Sequence, residues 1–264
     1  MVRFRRPTPA DRELMNSIVL IGHGSIHSDS GASMIRLAAR LRERNVAPIA
    51  EAGFLNFSRP TIAEAVAKCV GAGATSVVIQ PYFLIDGVYV QEDLPTDVAK
   101  VAAQFPQLTI RVAPCFGFHE KLAAIALERV QTVDPAPGAA NGTQSALLVM
   151  AHGTPLEYAN QPVRQMTAWL HAKTGYPLAA TAYLDCNAPR IADAIDDLAA
   201  QGARKIVALP YFLHRGRHLR QDLPQLLADA RRRHPNLTLL EAPHLDYDLR
   251  LVDVITDRIT ELTL

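Results

Sequence analysis

His152, Asp185 and His218 lie 33 residues apart and then 33 apart again. Two imidazoles and a carboxylate make a plausible ligand set for a divalent transition metal. Imidazole suits iron, cobalt, nickel and zinc, and carboxylate adds a hard oxygen. Three ligands with open positions describe a metal that is handled rather than buried. The same groups can also move protons, because histidine titrates near neutral pH. His23, Asn56 and Tyr89 repeat the pattern, each 129 residues earlier. That first set holds one imidazole, an amide and a phenol, so the chemistry is expected in the second half. His23 is expected to line the site with or without binding metal, and Tyr89 to pack or hydrogen-bond beside it. Alone, Asp185 could be a turn or cap residue, and a His-Gly pair after a strand could simply cap the following helix and open a tight turn.

The elements that must position these residues repeat with the same offset, without gaps from about Ser17 to the end. Ile18-Val-Leu-Ile-Gly-His-Gly answers to Leu147-Leu-Val-Met-Ala-His-Gly, and Gln80-Pro-Tyr-Phe-Leu to Leu209-Pro-Tyr-Phe-Leu. Asp93 and Pro95 match Asp222 and Pro224. Short apolar runs at 18–21, 49–55, 76–80 and 109–112 read as buried strands, as do 146–150, 179–184, 205–209 and 238–241. Helical patterns fill the gaps, at 33–44, after Pro60, from Asp93 and at 119–130 in the first half. Strand–helix alternation with buried strands predicts parallel sheets covered on both faces. The expected fold is α/β, with two tandem-repeat lobes and a central cleft. The organisation reads as a polar tail at 1–16, a first repeat at 17–131, a linker at 132–145 rich in Pro, Gly and small residues, and a second repeat at 146–264.

In a parallel α/β sheet, ligands bind at the carboxyl ends of the strands. His152 directly follows the first strand of its half and Asp185 the second. His218 lies nine residues past the third, in the loop Phe212-Leu-His-Arg-Gly-Arg-His. All three are therefore expected on one sheet edge. Arg215, Arg217 and Arg220 surround His218. They form either a solvated basic loop or a clamp for an anionic substrate, since guanidinium binds carboxylates bidentately. His27, His119, His171, His234 and His244 fall outside the spacing and are expected mostly at the surface or in packing.

A formal net charge of +1 excludes a bulk nucleic-acid or membrane-surface binder. No apolar run approaches the roughly 18 residues of a membrane span. The first residues lack the apolar core of a secretory signal, so they read as a loose tail on a cytoplasmic enzyme. Cys69, Cys115 and Cys186 are far apart, and no Cys-x-x-Cys pair suggests an iron–sulfur cluster or structural zinc.

At these residues the chain resembles the class II tetrapyrrole chelatases, and among them the sirohydrochlorin chelatases of the cobalamin and sirohaem pathways (CbiX/SirB type, long tandem form). The resemblance rests on strand-His-Gly at His23 and His152. It rests also on the Pro-Tyr-Phe-Leu-x-x-Gly-x-x-x-x-x-Asp-Leu-Pro block at 81–95 and 210–224. It implies insertion of a divalent metal into a tetrapyrrole without ATP. The partners implied are sirohydrochlorin or a related anionic tetrapyrrole and Co²⁺ or Fe²⁺ as substrate metal, with no permanently bound cofactor. The family's His, acidic, His pattern maps onto His152, Asp185 and His218 in full, and onto the first half only at His23. An intact set in the second half resembles the protoporphyrin and anaerobic cobalt chelatases. By resemblance, His152 and His218 hold the metal and accept protons, Asp185 completes the set, and His23, Asn56, Tyr89 and the three arginines contact substrate. Arg59 or Arg190, near the second strand ends, is expected as a further rim contact. A non-catalytic tetrapyrrole or metal carrier on a partly decayed scaffold is the alternative, with a two-lobed periplasmic binding protein behind it. A fused pair of repeats favours a monomer.

Overall fold

Strands and helices alternate strictly in the computed structural model, which describes residues 16–25, 31–135 and 144–263. Eight strands lie among these residues: β1 (Ser17–Gly22), β2 (Ile49–Phe54), β3 (Ser76–Pro81), β4 (Thr109–Val112), β5 (Ser145–Ala151), β6 (Leu178–Tyr183), β7 (Lys205–Pro210) and β8 (Thr238–Glu241). Eight α-helices lie between and after them: α1 (Ala32–Glu43), α2 (Ile62–Gly71), α3 (Leu94–Gln104), α4 (Glu120–Val133), α5 (Gln161–Thr174), α6 (Ile191–Ala200), α7 (Leu223–Arg233) and α8 (Arg250–Thr260). The strands form two four-stranded sheets of order β2-β1-β3-β4 and β6-β5-β7-β8. Every pairing is parallel. No helix among the described residues is long and apolar enough to cross a membrane.

Every residue of β1 and of β5 is buried, as a central strand covered on both faces must be. In the second sheet, Leu148 and Met150 pack with Ile191, Ile195 and Leu198 of α6 and Leu223 and Leu227 of α7. On the first sheet, Val19 and Ile21 meet Ile62, Ala65 and Val66 of α2. Pro60 stands two residues before Ile62, the first helical residue, and so outside the first turn expected for it. The N-cap is Thr61, whose hydroxyl accepts from Glu64 N–H while the Glu64 carboxylate accepts from Thr61 N–H.

The chain divides into two compact units, and these do not follow the repeats. One unit comprises residues up to Phe116 together with those from Leu251 onward; the other is Gly117–Arg250. The last helix of each repeat thus belongs with the sheet of the other. In the second unit, α4 buries Leu122, Ala123, Ile125, Ala126 and Val130. In the first, α8 is tied by Arg44 to Asp253 at 3.0 Å and by Arg258 to the Phe116 carbonyl. An amphipathic helix satisfies any sheet face of matching shape, so repeat spacing alone does not fix which sheet it covers.

The described residues at the edges of the expected tail and linker take part in regular structure or in hydrogen bonds. Asn16, the last residue of the expected tail, accepts from the N–H groups of Thr75 and Ser76 through its side chain at 3.2 and 3.1 Å. The rest of that tail lies outside the described residues. At the expected linker, Thr132 and Val133 continue α4 and Ser145 opens β5; residues 136–143 lie outside the described residues. Asp134, whose side chain is 12% exposed, accepts from Tyr176 Oη at 2.6 Å and Lys205 Nζ at 2.7 Å. Burial alone would raise its carboxyl, but the Lys205 and Tyr176 hydrogen bonds hold it below the usual carboxylate range.

A carboxyl held low contributes stability above the ordinary carboxylate pKa and loses it as pH falls through the folded value. Asp134→Asn is therefore expected to lower unfolding stability at neutral pH by about 1–3 kcal/mol. Denaturant titrations should find the deficit shrinking below about pH 4. A constant deficit down to pH 2 would contradict the ion pair.

Candidate functional site

The backbone places His152 and Asp185 side by side before any side chain acts. Beyond the end of β5 and β6 the ladder runs two steps further: Leu184 N–H donates to the Ala151 carbonyl and Asp185 N–H to the His152 carbonyl, both at 2.8 Å. Asn56 N–H donates to the His23 carbonyl at 2.9 Å in the first unit. The glycine after each histidine is required by this approach. A Cβ on Gly153 would stand 2.1 Å from the Asp185 carbonyl oxygen, and one on Gly24 would stand 1.7 Å from that of Asn56. Their φ angles are 89° and 87°. The His-Gly pair is thus a packing device as well as a carrier of the imidazole.

The turn is laced shut from the other side. Asn187 Oδ1 accepts from Thr154 N–H at 2.8 Å, and its Nδ2 donates to Glu157 at 2.7 Å. Ser58 does the same work in the first unit, exchanging hydrogen bonds with both backbone groups of Ser25.

His218 comes to the same edge by another route. β7 lies next to β5, on the side away from β6. The chain reaches His218 not in a loop, as expected from sequence, but at the start of a wide π-type turn, His218–Asp222, that leads into α7. Leu223 N–H donates to the His218 carbonyl, closing that turn. Such turns recur at functional sites. Here the turn brings Asp222 Oδ2 within 2.6 Å of His218 Nδ1. In the sequence Asp222 stands out only as a repeat match to Asp93; its spacing of four residues from His218 is the available signal.

His152 and His218 meet, with ring centroids 4.8 Å apart and planes at 66°. His152 Nδ1 lies 3.0 Å from the Gly153 carbonyl. A carbonyl oxygen only accepts, so Nδ1 carries a proton, and in the neutral ring the lone pair lies on Nε2. The carboxylate of Asp222 fixes the same tautomer at His218. Both side chains reach solvent: His152 is exposed and the His218 side chain is 40% exposed.

Asp185 does not close a ready three-ligand set. No group of three or more His, Cys, Asp or Glu side chains among the described residues is arranged to hold a metal. Its carboxylate accepts from Cys186 N–H at 2.8 Å and from Arg190 Nη1 at 3.0 Å. The Cys186 N–H first, and then the Arg190 guanidinium, hold this carboxyl below the usual range, with His152 adding a smaller attraction. Arg190 occupies the N-cap position of α6 without a side-chain cap, where the first repeat has Thr61. The second repeat thus forgoes a cap worth about 1 kcal/mol and gains a guanidinium against Asp185.

The other expected residues divide. Arg215 and Arg217 are exposed, with Arg217 Nε 4.0 Å from Asp222. Arg220 turns back to donate to the Arg215 carbonyl at 3.2 Å. Arg59, expected as a rim contact, pairs with Glu64 at 2.8 Å. In the first unit His23 and Tyr89 meet as His152 and His218 do, with centroids 4.3 Å apart. Asn56 contributes backbone to the turn, accepting from Ser58 N–H at 2.6 Å. Of the remaining histidines, His119 caps α4, accepting from Lys121 N–H. His171 bonds the Tyr176 carbonyl, and His234 pairs with Asp196. His244 is half-buried, and burial holds its imidazole below the usual value. His27 lies outside the described residues.

Gly153→Ala is expected to cost at least about 2–3 kcal/mol, from both the left-handed φ and the collision with Asp185. Gly202 has a φ of 95° and nothing within 4 Å of an added Cβ. Gly202→Ala should therefore cost only about 1 kcal/mol. Equal losses in thermal unfolding would show that the close approach carries no weight.

The CbiX family model matches residues 17–133 and again 146–262. A sirohydrochlorin cobaltochelatase of Priestia megaterium is 25% identical over 248 residues, spanning 94% of this chain and 80% of the relative. A sirohydrochlorin ferrochelatase of the same organism is 22% identical over 253 residues, spanning 95% and 91%. Among solved structures, SirB from Bacillus subtilis with Fe³⁺ superposes with a TM-score of 0.78 at 17% identity, covering 94% of this chain and 95% of that one. At that identity the superposition speaks for the fold.

Proposed function

Because the chain belongs to the CbiX family, we propose that it inserts a divalent metal into sirohydrochlorin or a related anionic tetrapyrrole, with Co²⁺ the first expected substrate metal and Fe²⁺ the second. Such a step serves cobalamin or sirohaem synthesis in the cytoplasm. The observation that carries this reading is the His152–His218 pair: two imidazoles 4.8 Å apart at the carboxyl edge of a parallel sheet, each anchored through Nδ1.

Metallation of a tetrapyrrole requires two pyrrolic N–H protons to leave as the metal takes four nitrogens. An imidazole tied through Nδ1–H presents a lone pair at Nε2, which can hold M²⁺ or accept one of those protons. His152 and His218 together supply two such lone pairs. Asp222 behind His218 strengthens that donor and stabilises the imidazolium formed on proton transfer. Asp185 stays ionised beside His152. To join as a third ligand it exchanges its contact with Arg190, an exposed pair that is weak in water. Two imidazoles and an exchangeable carboxylate bind an ion loosely enough to release it to the macrocycle. Cobalt and iron share these ligand types, and relatives bear the name of each metal. Arg215 and Arg217 suit the rim carboxylates of such a substrate. The metal is substrate and cargo, so the reading calls for no permanently bound cofactor. All three cysteines are free thiols, in keeping with a reducing compartment.

Absorption spectra of purified protein mixed with metal-free sirohydrochlorin and Co²⁺ or Fe²⁺ test this directly. The expected result is multiple turnovers above the spontaneous rate; stoichiometric binding without turnover would make the protein a carrier. His152→Ala and His218→Ala are each expected to lower kcat/KM by at least about 100-fold, and His23→Ala by less than about 10-fold. An inactive His23→Ala beside an active His218→Ala would move the chemistry to the first unit. Asp222→Asn should cost about 10–100-fold with little change in thermal stability, and wild-type activity in that variant would remove Asp222 from the mechanism.

A further inference from the structure

The rings around His23 make an exposed aromatic surface outside the metal and proton steps proposed above. Ring centroids of His23 and Tyr89 are 4.3 Å apart, and those of His23 and Phe57 are 5.7 Å apart. Tyr89 is 45% exposed and Phe57 71%, the latter the most exposed large hydrophobic side chain among the described residues. Phe57 also has a φ of 58°, a left-handed conformation that a bulky residue adopts only at a cost. The turn imposes that conformation, since Cys186 at the matching position has a φ of 65°. The turn does not impose a phenyl ring: a small or polar residue serves there, and Asn serves better. Folding gains nothing from an apolar ring held in water on a strained backbone. The ring is nevertheless well placed, because the backbone hydrogen bonds of Asn56 and Ser58 and the Ser58–Ser25 lacing fix the turn that carries it.

We propose that Phe57, Tyr89 and His23 form a stacking platform for the face of a planar conjugated macrocycle, the metal-free tetrapyrrole of the reaction proposed above, on which this inference rests. Three features select that occupant. Clustered aromatic rings attract a flat π-surface by stacking and edge-to-face contact. Within its own unit the platform occupies the strand ends that correspond to those carrying the imidazole pair in the other repeat, with Tyr89 matching His218 and Phe57 matching Cys186. Arg59 stands two residues from Phe57 with its side chain 83% exposed, so the loop that carries the phenyl ring also carries a cation suited to rim carboxylates. Its pairing with Glu64 is an exposed one that exchanges readily. Phenyl and phenol offer a divalent ion little, and the duplication has thus given one unit nitrogen donors and the other a ring surface.

The test is a titration of the protein with metal-free sirohydrochlorin, followed by absorbance. Phe57→Asn removes the ring and keeps a residue that favours the left-handed turn. It is expected to weaken binding about tenfold and to raise KM for the tetrapyrrole in step. Tyr89→Leu should act in the same direction, and Phe57→Trp should stay within about twofold of wild type. Calorimetric binding of Co²⁺ alone should not move in Phe57→Asn. Unchanged sirohydrochlorin affinity in Phe57→Asn, beside normal metallation by the wild type, would overturn the platform and leave the chelatase reading standing. So would a change of sedimentation coefficient without a change in that affinity, which would make the patch a contact between copies. A wild type that neither binds nor metallates sirohydrochlorin would remove both.

Discussion

The hydrogen bond from Asp185 N–H to the His152 carbonyl, passing over Gly153, is the constraint on which the site depends. It extends the parallel ladder beyond the strands and so fixes the spacing of two side chains that are 33 residues apart in sequence. Everything near it either permits that approach or exploits it. Gly153 makes room, and Asn187 ties the two loops together. Arg190 leaves the helix end uncapped to reach the Asp185 carboxylate. The same backbone step in the first unit, from Asn56 to His23, shows that the geometry belongs to the fold and the chemistry to the side chains placed on it.

That separation explains how the two halves can share a skeleton and differ in use. Matching positions carry His218 and Tyr89, Asp185 and Asn56, Cys186 and Phe57, Arg190 and Thr61. Each exchange leaves strands, turns and left-handed residues in place. In the second unit the exchanges gather nitrogen donors, a carboxylate and guanidiniums. In the first they gather rings and restore an ordinary helix cap. A duplicated scaffold therefore permits its two copies to carry different side chains at these positions and keep the turn, because what holds the turn is backbone, glycine and the lacing side chain of Asn187 or Ser58.

Much of this was legible in the sequence, for identifiable reasons. Buried central strands read as continuous apolar runs, and all eight lie within a residue or two of where periodicity put them. The edge shared by His152, Asp185 and His218 followed from parallel topology alone. Three things were not legible. Helices α4 and α8 belong with the sheet of the other repeat, a matter of shape complementarity that local patterning does not encode. Asp134 sits in a segment with linker composition, yet its partners Tyr176 and Lys205 are distant in sequence. Asp222 was hidden because a π-type turn, rather than the expected loop, brings it onto His218.

The proposed chemistry needs two imidazoles whose Nδ1–H groups are committed to fixed acceptors, leaving Nε2 as the working nitrogen. Nitrogen-15 NMR of the histidine side chains in the metal-free protein, with His152→Gln and His218→Gln to assign the signals, measures this directly. At a pH where both rings are neutral, the expected result is the Nδ1–H tautomer for His152 and His218, with Nε2 shifts of an unprotonated nitrogen. The Nε2–H tautomer at either ring would contradict it.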